Sequence, residues 1–147
     1  MKLSTRVRYG VRAMVELAKQ PTDKPVALGE LARKQEISTK YLEQMVTALK
    51  SGGLVESVRG SEGGYRLGRP AGEITVWDIY SILDVAANPI DCKSDPCNRL
   101  EYCSMRKVWE EMSEAIRKVL QSWSLEKLAK LEQQEQEKYL KEPNQPT

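Results

Sequence analysis

The chain contains three cysteines within a stretch of twelve residues, and their spacing suggests that they bind a metal or react as thiols. Cys92, Cys97 and Cys103 form a C-x4-C-x5-C pattern, and the 147 residues include no other cysteine and no histidine. An odd number of closely spaced cysteines is a poor framework for disulfides, and structural zinc sites use four Cys or His ligands. Thiolates also hold iron–sulfur clusters. The spacing therefore indicates a metal-ligand set, with reduced thiols or one redox-active pair as the alternatives.

The composition excludes several classes of protein. Without histidine the chain cannot form a Ser-His-Asp triad, a Cys-His pair or an HExxH zinc site, which excludes most hydrolases. We expect that the protein is not an enzyme. No apolar run approaches the roughly 18 residues of a membrane span, and the N-terminal segment lacks the apolar core of a signal peptide. We therefore expect a cytoplasmic protein with no membrane partner.

Charge is distributed unevenly along the chain. Residues 1–70 contain 13 Lys and Arg against 7 Asp and Glu, a net charge of +6, whereas residues 71–147 contain 10 against 14, a net charge of −4. A basic first half joined to an acidic second half suggests that the first half binds a polyanion such as nucleic acid. The alternative is that these charges only solvate exposed helix faces.

The elements that must position these residues begin with three helices. Apolar residues recur at three- and four-residue steps over residues 4–19 and 28–34, and again in a helix that Ser38 caps and Gly52 ends. A helix of about seven residues, a turn of three or four, and a capped helix of about twelve is the length pattern of a helix-turn-helix. The third helix is expected to bury one apolar stripe, which consists of Leu42, Met45, Val46 and Leu49.

Residues 54–67 predict a β-hairpin. Two stretches rich in β-formers, 54–58 and 65–67, flank a glycine-rich turn. Three helices followed by a hairpin constitute a winged helix. We therefore predict a mainly α fold with a small β-hairpin, in which residues 1–70 form a winged helix-turn-helix DNA-binding domain.

The remaining residues predict a helical second half. Residues 71–104 are assigned to a short connecting helix, which a Thr75–Asp78 capping box begins, and to the cysteine loop. Residues 105–137 are assigned to a long dimerisation helix and a C-terminal helix, and residues 138–147 to a disordered tail. We interpret the apolar stripe of the long helix as a homodimer seam, because winged-helix proteins usually present two copies to a two-fold DNA site. Packing against the chain's own head is the alternative for this stripe, which consists of Val108, Met112, Ala115, Ile116, Val119 and Leu120.

Four segments of the chain resemble the IscR family of winged-helix transcription regulators. They are MKLSTRVRYGVRAM, ISTKYLEQMVTALKSGGLVESVRGSEGGYRLGRP, ITVWDIYSILD and the cysteine loop, and they follow the family's order over about residues 1–130. The resemblance implies a dimeric regulator that binds double-stranded operator DNA. The family includes iron–sulfur sensors and the cysteine-metabolism regulator CymR, and the segment 124–139 of this chain is CymR-like.

The third helix is expected to enter the major groove with its N-terminal residues near base edges. Gln44 can bond adenine, Glu43 can accept a hydrogen bond from cytosine, and Lys40 suits phosphate or guanine. Helix capping is an alternative role for Ser38 and Thr39. The wing tip suits a narrow minor groove. The predicted DNA-binding residues of helix and wing are Ser38, Thr39, Lys40, Tyr41, Glu43, Gln44, Arg59 and Gly60.

The resemblance also implies that the cysteine loop holds an iron–sulfur cluster. A 2Fe–2S cluster is the first expectation, and the cysteine spacing does not distinguish it from a 4Fe–4S cluster. In well-known members a histidine three residues after the third cysteine completes the ligand set, and in others a carboxylate of the partner's first helix does. Those positions are Arg106 and Arg8 here, and arginine offers no lone pair to iron. The remaining donors for the fourth position are a carboxylate, a backbone group, a hydroxyl, or an exogenous thiol or water. The carboxylate candidates are Glu43 first, then Glu101 or Asp91, with Asp95 also nearby.

Three hypotheses for control follow. In the first, an iron–sulfur cluster controls DNA binding, and Glu43 alternates between the cluster and a base edge. In the second, the protein is a cofactor-free CymR-like regulator that a partner protein controls. The third hypothesis, a redox enzyme or electron carrier that uses the cluster directly, is disfavoured by the winged-helix pattern.

Overall fold

The computed structural model describes residues 3–84, 92 and 97–142. In these ranges the chain forms six α-helices, one antiparallel hairpin and a short 3-10 turn at Ala71–Glu73. The predicted fold class is confirmed, because three helices and a hairpin fill the first seventy residues and helices dominate the rest. The elements are α1 (Thr5–Ala18), α2 (Leu28–Gln35), α3 (Thr39–Ser51), β1 (Val55–Val58), β2 (Gly64–Leu67), α4 (Val76–Leu83), α5 (Met105–Ser122) and α6 (Leu125–Lys141).

A tight turn joins α2 to α3. Glu36 ends α2 in the left-handed conformation, with φ +54°. Ser38 then begins α3, because its Oγ accepts a hydrogen bond from the Tyr41 N–H at 3.1 Å. The predicted apolar stripe of α3 is buried, with every member at most 2% exposed. α3 is therefore fixed to the core through its inner face.

The wing is attached to the rest of the domain through Val26. β1 pairs with β2 in a register that sets Val55 opposite Leu67. Val26 and Tyr65 exchange two backbone hydrogen bonds of 2.8 Å, which add a single bridging residue to the sheet. Gly64 has φ +155°, and a Cβ atom there would lie 2.3 Å from the Val26 carbonyl oxygen. This close approach of two backbones requires glycine.

α1 lies at the centre of the core and packs against α2, α3, α4, α6 and β2. Its contact with α4 is close, since a Cβ atom at Gly10 would lie 2.1 Å from Cδ1 of the buried Leu83. α4 begins with the predicted capping box, in which Thr75 Oγ1 accepts from the Asp78 N–H and the Asp78 carboxylate accepts from the Thr75 N–H. The buried hydrophobic residues form one continuous cluster.

An antiparallel backbone bridge ties the start of α4 to the junction of α5 and α6. The Val76 N–H donates to the Trp123 carbonyl, and the Leu125 N–H donates to the Ile74 carbonyl, both at 2.9 Å. Arg117 of α5 lies over the Trp77 ring of α4, 5.7 Å from its centroid. These contacts hold the C-terminal part of α5 against the head.

α5 contains no buried residue in the single chain, although its residues form the predicted amphipathic pattern. In its stripe, Val108 is 48% exposed and Val119 is 57% exposed. Met112, Ile116 and Leu120 are half-buried. The alternative interpretation is that this stripe packs against the chain's own head. In the single chain that packing leaves Val108 and Val119 uncovered.

α6 extends to Lys141. The sequence predicts disorder for residues 138–147, but the helix continues through the first four of them. The prediction is therefore wrong for residues 138–141, where helical hydrogen bonds continue as far as the Glu142 N–H. Residues 143–147 lie outside the described ranges. α5 and α6 contain 18 and 17 residues, and neither they nor any other described helix combines the length and the apolar character that crossing a membrane requires.

Candidate nucleic-acid interface and cysteine loop

The N-terminal half of α3 presents the predicted DNA-binding residues on its free face. Thr39, Lys40, Glu43 and Gln44 are exposed, as is the cap Ser38, whereas Tyr41 is half-buried. For Ser38 the sequence also allows a helix-capping role, and in the structure its hydroxyl oxygen caps α3 by accepting the hydrogen bond from the Tyr41 N–H. The helix start also carries the positive end of the helix dipole, with no acidic residue in the first turn. Contact of this face with DNA stays a prediction.

The wing tip presents Arg59 and Gly60 to solvent. Gly60 has φ +113°, which turns the chain at the tip in a conformation that favours glycine. Further down the hairpin, Arg66 pairs with the Glu56 carboxylate across the two strands. Arg59 makes no ion pair with any residue in the described ranges, so its guanidinium is available to an external anion.

Two residues of α1 that the sequence analysis did not single out, Tyr9 and Arg12, contact the two sides of the α2–α3 turn. The Arg12 Nε–H donates to Gln35 Oε1 at 3.1 Å, and the Arg12 guanidinium lies 5.2 Å from the Tyr9 ring centroid. The Tyr9 ring meets the Tyr41 ring edge to face, with centroids 6.3 Å apart. Tyr9 and Arg12 share a helix face, which the sequence shows, but Gln35 is 23 positions from Arg12 and no local pattern predicts that partner.

A buried carboxylate links α1 to α2 and α6. Glu16 is 8% exposed and accepts contacts of 2.8 Å from both Lys19 and Lys34. Burial by itself raises the pKa of Glu16, but the hydrogen bonds and positive charges of Lys19 and Lys34 outweigh burial, so the pKa lies below the ordinary value of 4.5. Lys19 also contacts Glu132 of α6 at 3.3 Å. Ion pairs thus connect α6 with the helix-turn-helix.

The cysteine loop precedes α5 and carries three free thiols. Cys92 and Cys103 are half-buried and Cys97 is exposed. Between the second and third cysteines the backbone makes consecutive turns, with the Leu100 N–H donating to the Cys97 carbonyl at 3.2 Å. Arg106, at the position where the family pattern suggested a histidine ligand, donates from Nη1 to the Leu100 carbonyl at 3.4 Å and from Nε to Glu110 at 2.9 Å.

The candidate fourth ligands lie on different elements. Glu43 is exposed on α3 and Glu101 is exposed in the loop, while Asp91 and Asp95 lie outside the described residues. Within residues 3–84, 92 and 97–142, no three His, Cys, Asp or Glu side chains lie close enough together to hold a metal ion. The single chain therefore does not gather the cysteines and Glu43. The chemistry of the donor set fits an iron–sulfur cluster, because three thiols are free of disulfides.

A small apolar hollow separates α1 from the C-terminal part of α5. Its volume is about 260 Å³, and Val7, Val11, Val76 and Leu120 are among its lining residues. Arg12 lines it as well, so one arginine borders the hollow and also contacts the α2–α3 turn.

The chain is similar over most of its length to known transcription regulators. The sequence model of the Rrf2 family, described as iron-dependent transcriptional regulator, matches residues 3–131. The regulator CymR of Bacillus subtilis is 39% identical over 140 residues, which cover 95% of this chain and 98% of CymR. The regulator IscR of Xenorhabdus nematophila is 40% identical over 131 residues, which cover 88% of this chain and 80% of IscR.

Solved structures agree with the sequence relatives. The structure of CymR, the global cysteine regulator of B. subtilis, superposes with a TM-score of 0.75 at 37% identity, covering 89% of this chain and 98% of that one. The structure of T. potens IscR superposes with a TM-score of 0.74 at 37% identity, covering 88% of this chain and 87% of that one. Both similarities include the winged helix and continue into the helices that follow it.

Proposed function

The chain belongs to the Rrf2 family of transcriptional regulators, and we propose that it binds operator DNA as a homodimer whose binding responds to an iron–sulfur cluster. The observation that carries the proposal is the combination of an uncovered recognition face on α3 with three free thiols in the loop before α5. The relatives are named as regulators, so the expectation that the protein is not an enzyme is confirmed at the level of the family.

Operator binding is assigned to the N-terminal half of α3 and to the wing tip. α3 contributes hydrogen-bonding side chains of both kinds, since Lys40 donates, Glu43 accepts and Gln44 does both. Arg59 stands at the end of the hairpin without an ion-pair partner in the described part of the chain, as a residue inserted into a narrow minor groove requires. These features support sequence-specific recognition in addition to phosphate attraction.

The experiment starts from a duplex that the purified protein selects from a random-sequence library. We expect Arg59→Ala to weaken binding to that duplex by about 1–3 kcal/mol, the usual value of a specific contact. Lys130→Ala is the matched control, because it removes one exposed positive charge from α6, which contains none of the predicted DNA-binding residues. Equal affinities of Arg59→Ala and the unmodified protein would remove Arg59 from the interface.

The homodimer is assigned to the uncovered apolar face of α5. Met105, Val108 and Val119 are 42%, 48% and 57% exposed on one side of this helix. A row of exposed apolar residues on a helix is costly in water and is typical of a surface that another protein covers. A second copy of α5 is the natural occupant, because two-fold DNA sites require two recognition helices.

The cluster is assigned to Cys92, Cys97 and Cys103. When bound, an iron–sulfur cluster supplies one-electron redox chemistry and sensitivity to oxidants. The protein's part is to provide thiolates and to order the loop around three fixed points, since ligand binding by a flexible segment is coupled to its folding. Because α5 follows Cys103 directly, the state of the loop reaches the helix that we assign to the dimer.

Anaerobic purification tests the cluster. We expect a brown protein with visible absorption, containing iron and acid-labile sulfide in equal amounts. Cys97→Ser should abolish the colour, because it removes one of the three thiolate ligands. The variant should still fold, because Cys97 is exposed and its replacement leaves the core intact. Ser104→Ala, a change of similar size beside Cys103, should keep it. A colourless protein without iron after anaerobic purification contradicts the proposal.

Glu43 is our first candidate for the fourth ligand and Glu101 the second. Glu43 is exposed on the recognition helix, so its carboxylate is available to a base edge or to a cluster brought against this face. If it binds the cluster, Glu43→Ala should both weaken the cluster and erase any difference in sequence preference between the iron-loaded and iron-free proteins. A variant with unchanged cluster stability rejects Glu43, and Glu101→Ala then becomes the test, with Asp91→Ala after it.

A specific observation favours a second candidate function, a cofactor-free regulator controlled by a partner protein. The similarity to CymR covers 95% of the chain, and the similarity to IscR covers 88% of it. α6 contains the exposed Tyr139 and Leu140. This alternative predicts that the anaerobic protein is colourless and that truncation after residue 130 preserves DNA binding but removes its control.

A further inference from the structure

The turn between α2 and α3 determines how the recognition helix leaves the head. It consists of the left-handed Glu36 and the residues that flank it. The inner stripe of α3 is buried in the core, and α3 also packs against α1, α2, α4 and β1. Two side chains of α1, those of Tyr9 and Arg12, contact the residues on either side of the turn.

On the near side of the turn, Gln35 is held by Arg12. Gln35 is the last residue of α2 and is 6% exposed, so its amide needs a protein partner. The Arg12 Nε–H supplies one at 3.1 Å. Since Arg12 belongs to α1, the central helix of the core, this bond fixes the end of α2 relative to the core.

On the far side of the turn, Tyr41 is held by Tyr9. Tyr41 lies in the first turn of α3, and its ring meets the Tyr9 ring at 82° with centroids 6.3 Å apart, the edge-to-face arrangement that aromatic pairs prefer. The Arg12 guanidinium lies 5.2 Å from the centroid of the same Tyr9 ring. Arg12 and Tyr9 thus contact each other and the residues on both sides of the turn.

We propose that Tyr9 and Arg12 are positioning residues that set the orientation of α3 and thereby the specificity of DNA binding, an inference that rests on the proposed function. They act through Tyr41 and Gln35 rather than by touching bases. Their effect is therefore confined to DNA whose recognition depends on the orientation of α3. Non-specific binding depends on total charge and is left unchanged.

Arg12→Lys is the decisive variant because it keeps the charge. Lysine lacks the planar guanidinium that both donates to Gln35 and stacks on Tyr9. We expect binding to the selected duplex to weaken about 3- to 10-fold, the factor that one aromatic or hydrogen-bonded contact corresponds to. The affinity for a scrambled duplex and the salt dependence should not change. A parallel loss on both duplexes overturns the proposal.

Tyr9 provides a second and independent test. Tyr9→Leu should reproduce the specific loss, whereas Tyr9→Phe keeps the ring and should bind like the unmodified protein. If Tyr9 acts through Tyr41, the double variant Tyr9→Leu with Tyr41→Leu should bind no more weakly than Tyr41→Leu alone. Additive losses overturn the proposal.

The proposed function and the positioning role of Tyr9 and Arg12 are tested by different results. If the unmodified protein selects no duplex over its scrambled version, the proposed function fails and the positioning role fails with it. If it does select one and Arg12→Lys binds that duplex equally well, only the positioning role fails. Urea unfolding of each variant confirms that the measured protein is folded, and Arg12 is exposed, so its replacement does not disturb the core.

Discussion

At the scale of single residues, Gly64 is the position in the wing that tolerates least change. Its φ of +155° and the Val26 carbonyl at 2.3 Å from a would-be Cβ leave no room for a side chain. We expect Gly64→Ala to lower the free energy of unfolding by about 1–3 kcal/mol, the cost of a strained backbone position. Gly29→Ala is the matched control, because no atom lies within 4 Å of its would-be Cβ and alanine favours the helix by about 0.5–1 kcal/mol. Urea unfolding monitored by circular dichroism measures both.

Glu16 gives a prediction for pH. Its pKa lies below 4.5 in the folded protein, so the carboxylate contributes stability above pH 4.5 that is lost as the pH falls through the folded pKa. Glu16→Gln removes that charge and should lower the free energy of unfolding at pH 7 by about 1.5–3 kcal/mol, the range for hydrogen bonds to charged groups. As the pH falls below 4.5, the difference between variant and unmodified protein should shrink. A difference that stays constant from pH 7 to pH 3 contradicts this role.

Sequence predicts single residues well where their role is local. Ser38 and Thr75 sit at helix starts with their partners three positions away, so spacing alone identifies them. The partners of Arg12 and Glu16 lie 23 and 18 positions away on another helix. Those pairs depend on how α1 packs on α2, which no local pattern specifies.

At the scale of elements, α5 carries a face that the single chain leaves uncovered. Val119→Asp places a charge on that face, and we expect it to convert a homodimer into monomers or aggregates and to abolish specific DNA binding. Gln121→Asp introduces the same charge two residues away, on the opposite and exposed side of the helix, and should leave the dimer intact. Sedimentation velocity distinguishes the two. A stable Val119→Asp dimer means that this face does not form the seam.

The bounds of the elements follow from the sequence wherever hydrophobic periodicity and caps agree. α2 begins at Leu28, where the apolar periodicity of residues 28–34 places it, and α3 begins directly after its cap Ser38. The bridge through Val26 and the one at the α5–α6 junction escape prediction, because each involves a single residue pair and neither produces a β pattern. The sequence predicts that α6 ends at residue 137 and the structure extends it to Lys141, because the polar C-terminal part of this helix lacks the apolar stripe on which the prediction depends.

At the scale of the whole molecule, the basic head predicts a steep salt dependence of DNA binding. Each neutralised phosphate adds about 0.9 to the slope of log affinity against log salt. We expect Lys40→Gln, at the exposed start of α3, to reduce that slope by about 1. Lys127→Gln removes an equal charge from α6 and should leave the slope unchanged. Fluorescence anisotropy over a series of salt concentrations measures it, and equal slopes for Lys40→Gln and the unmodified protein place Lys40 away from the phosphates.

The backbone bridge at the α5–α6 junction makes α5 a lever with one clamped end. Its two 2.9 Å hydrogen bonds and the Arg117–Trp77 contact hold the C-terminal part, while the opposite end begins just after Cys103. With 18 residues at 1.5 Å each, the lever is about 27 Å long. A displacement of about 2 Å at Met105 therefore turns the whole helix by only about 4° about its fixed end. In the proposed homodimer we expect such a tilt to separate the apolar contacts near Met105 while those near Val119 hardly move, so that a change in the cysteine loop loosens one end of the seam and leaves the other end closed.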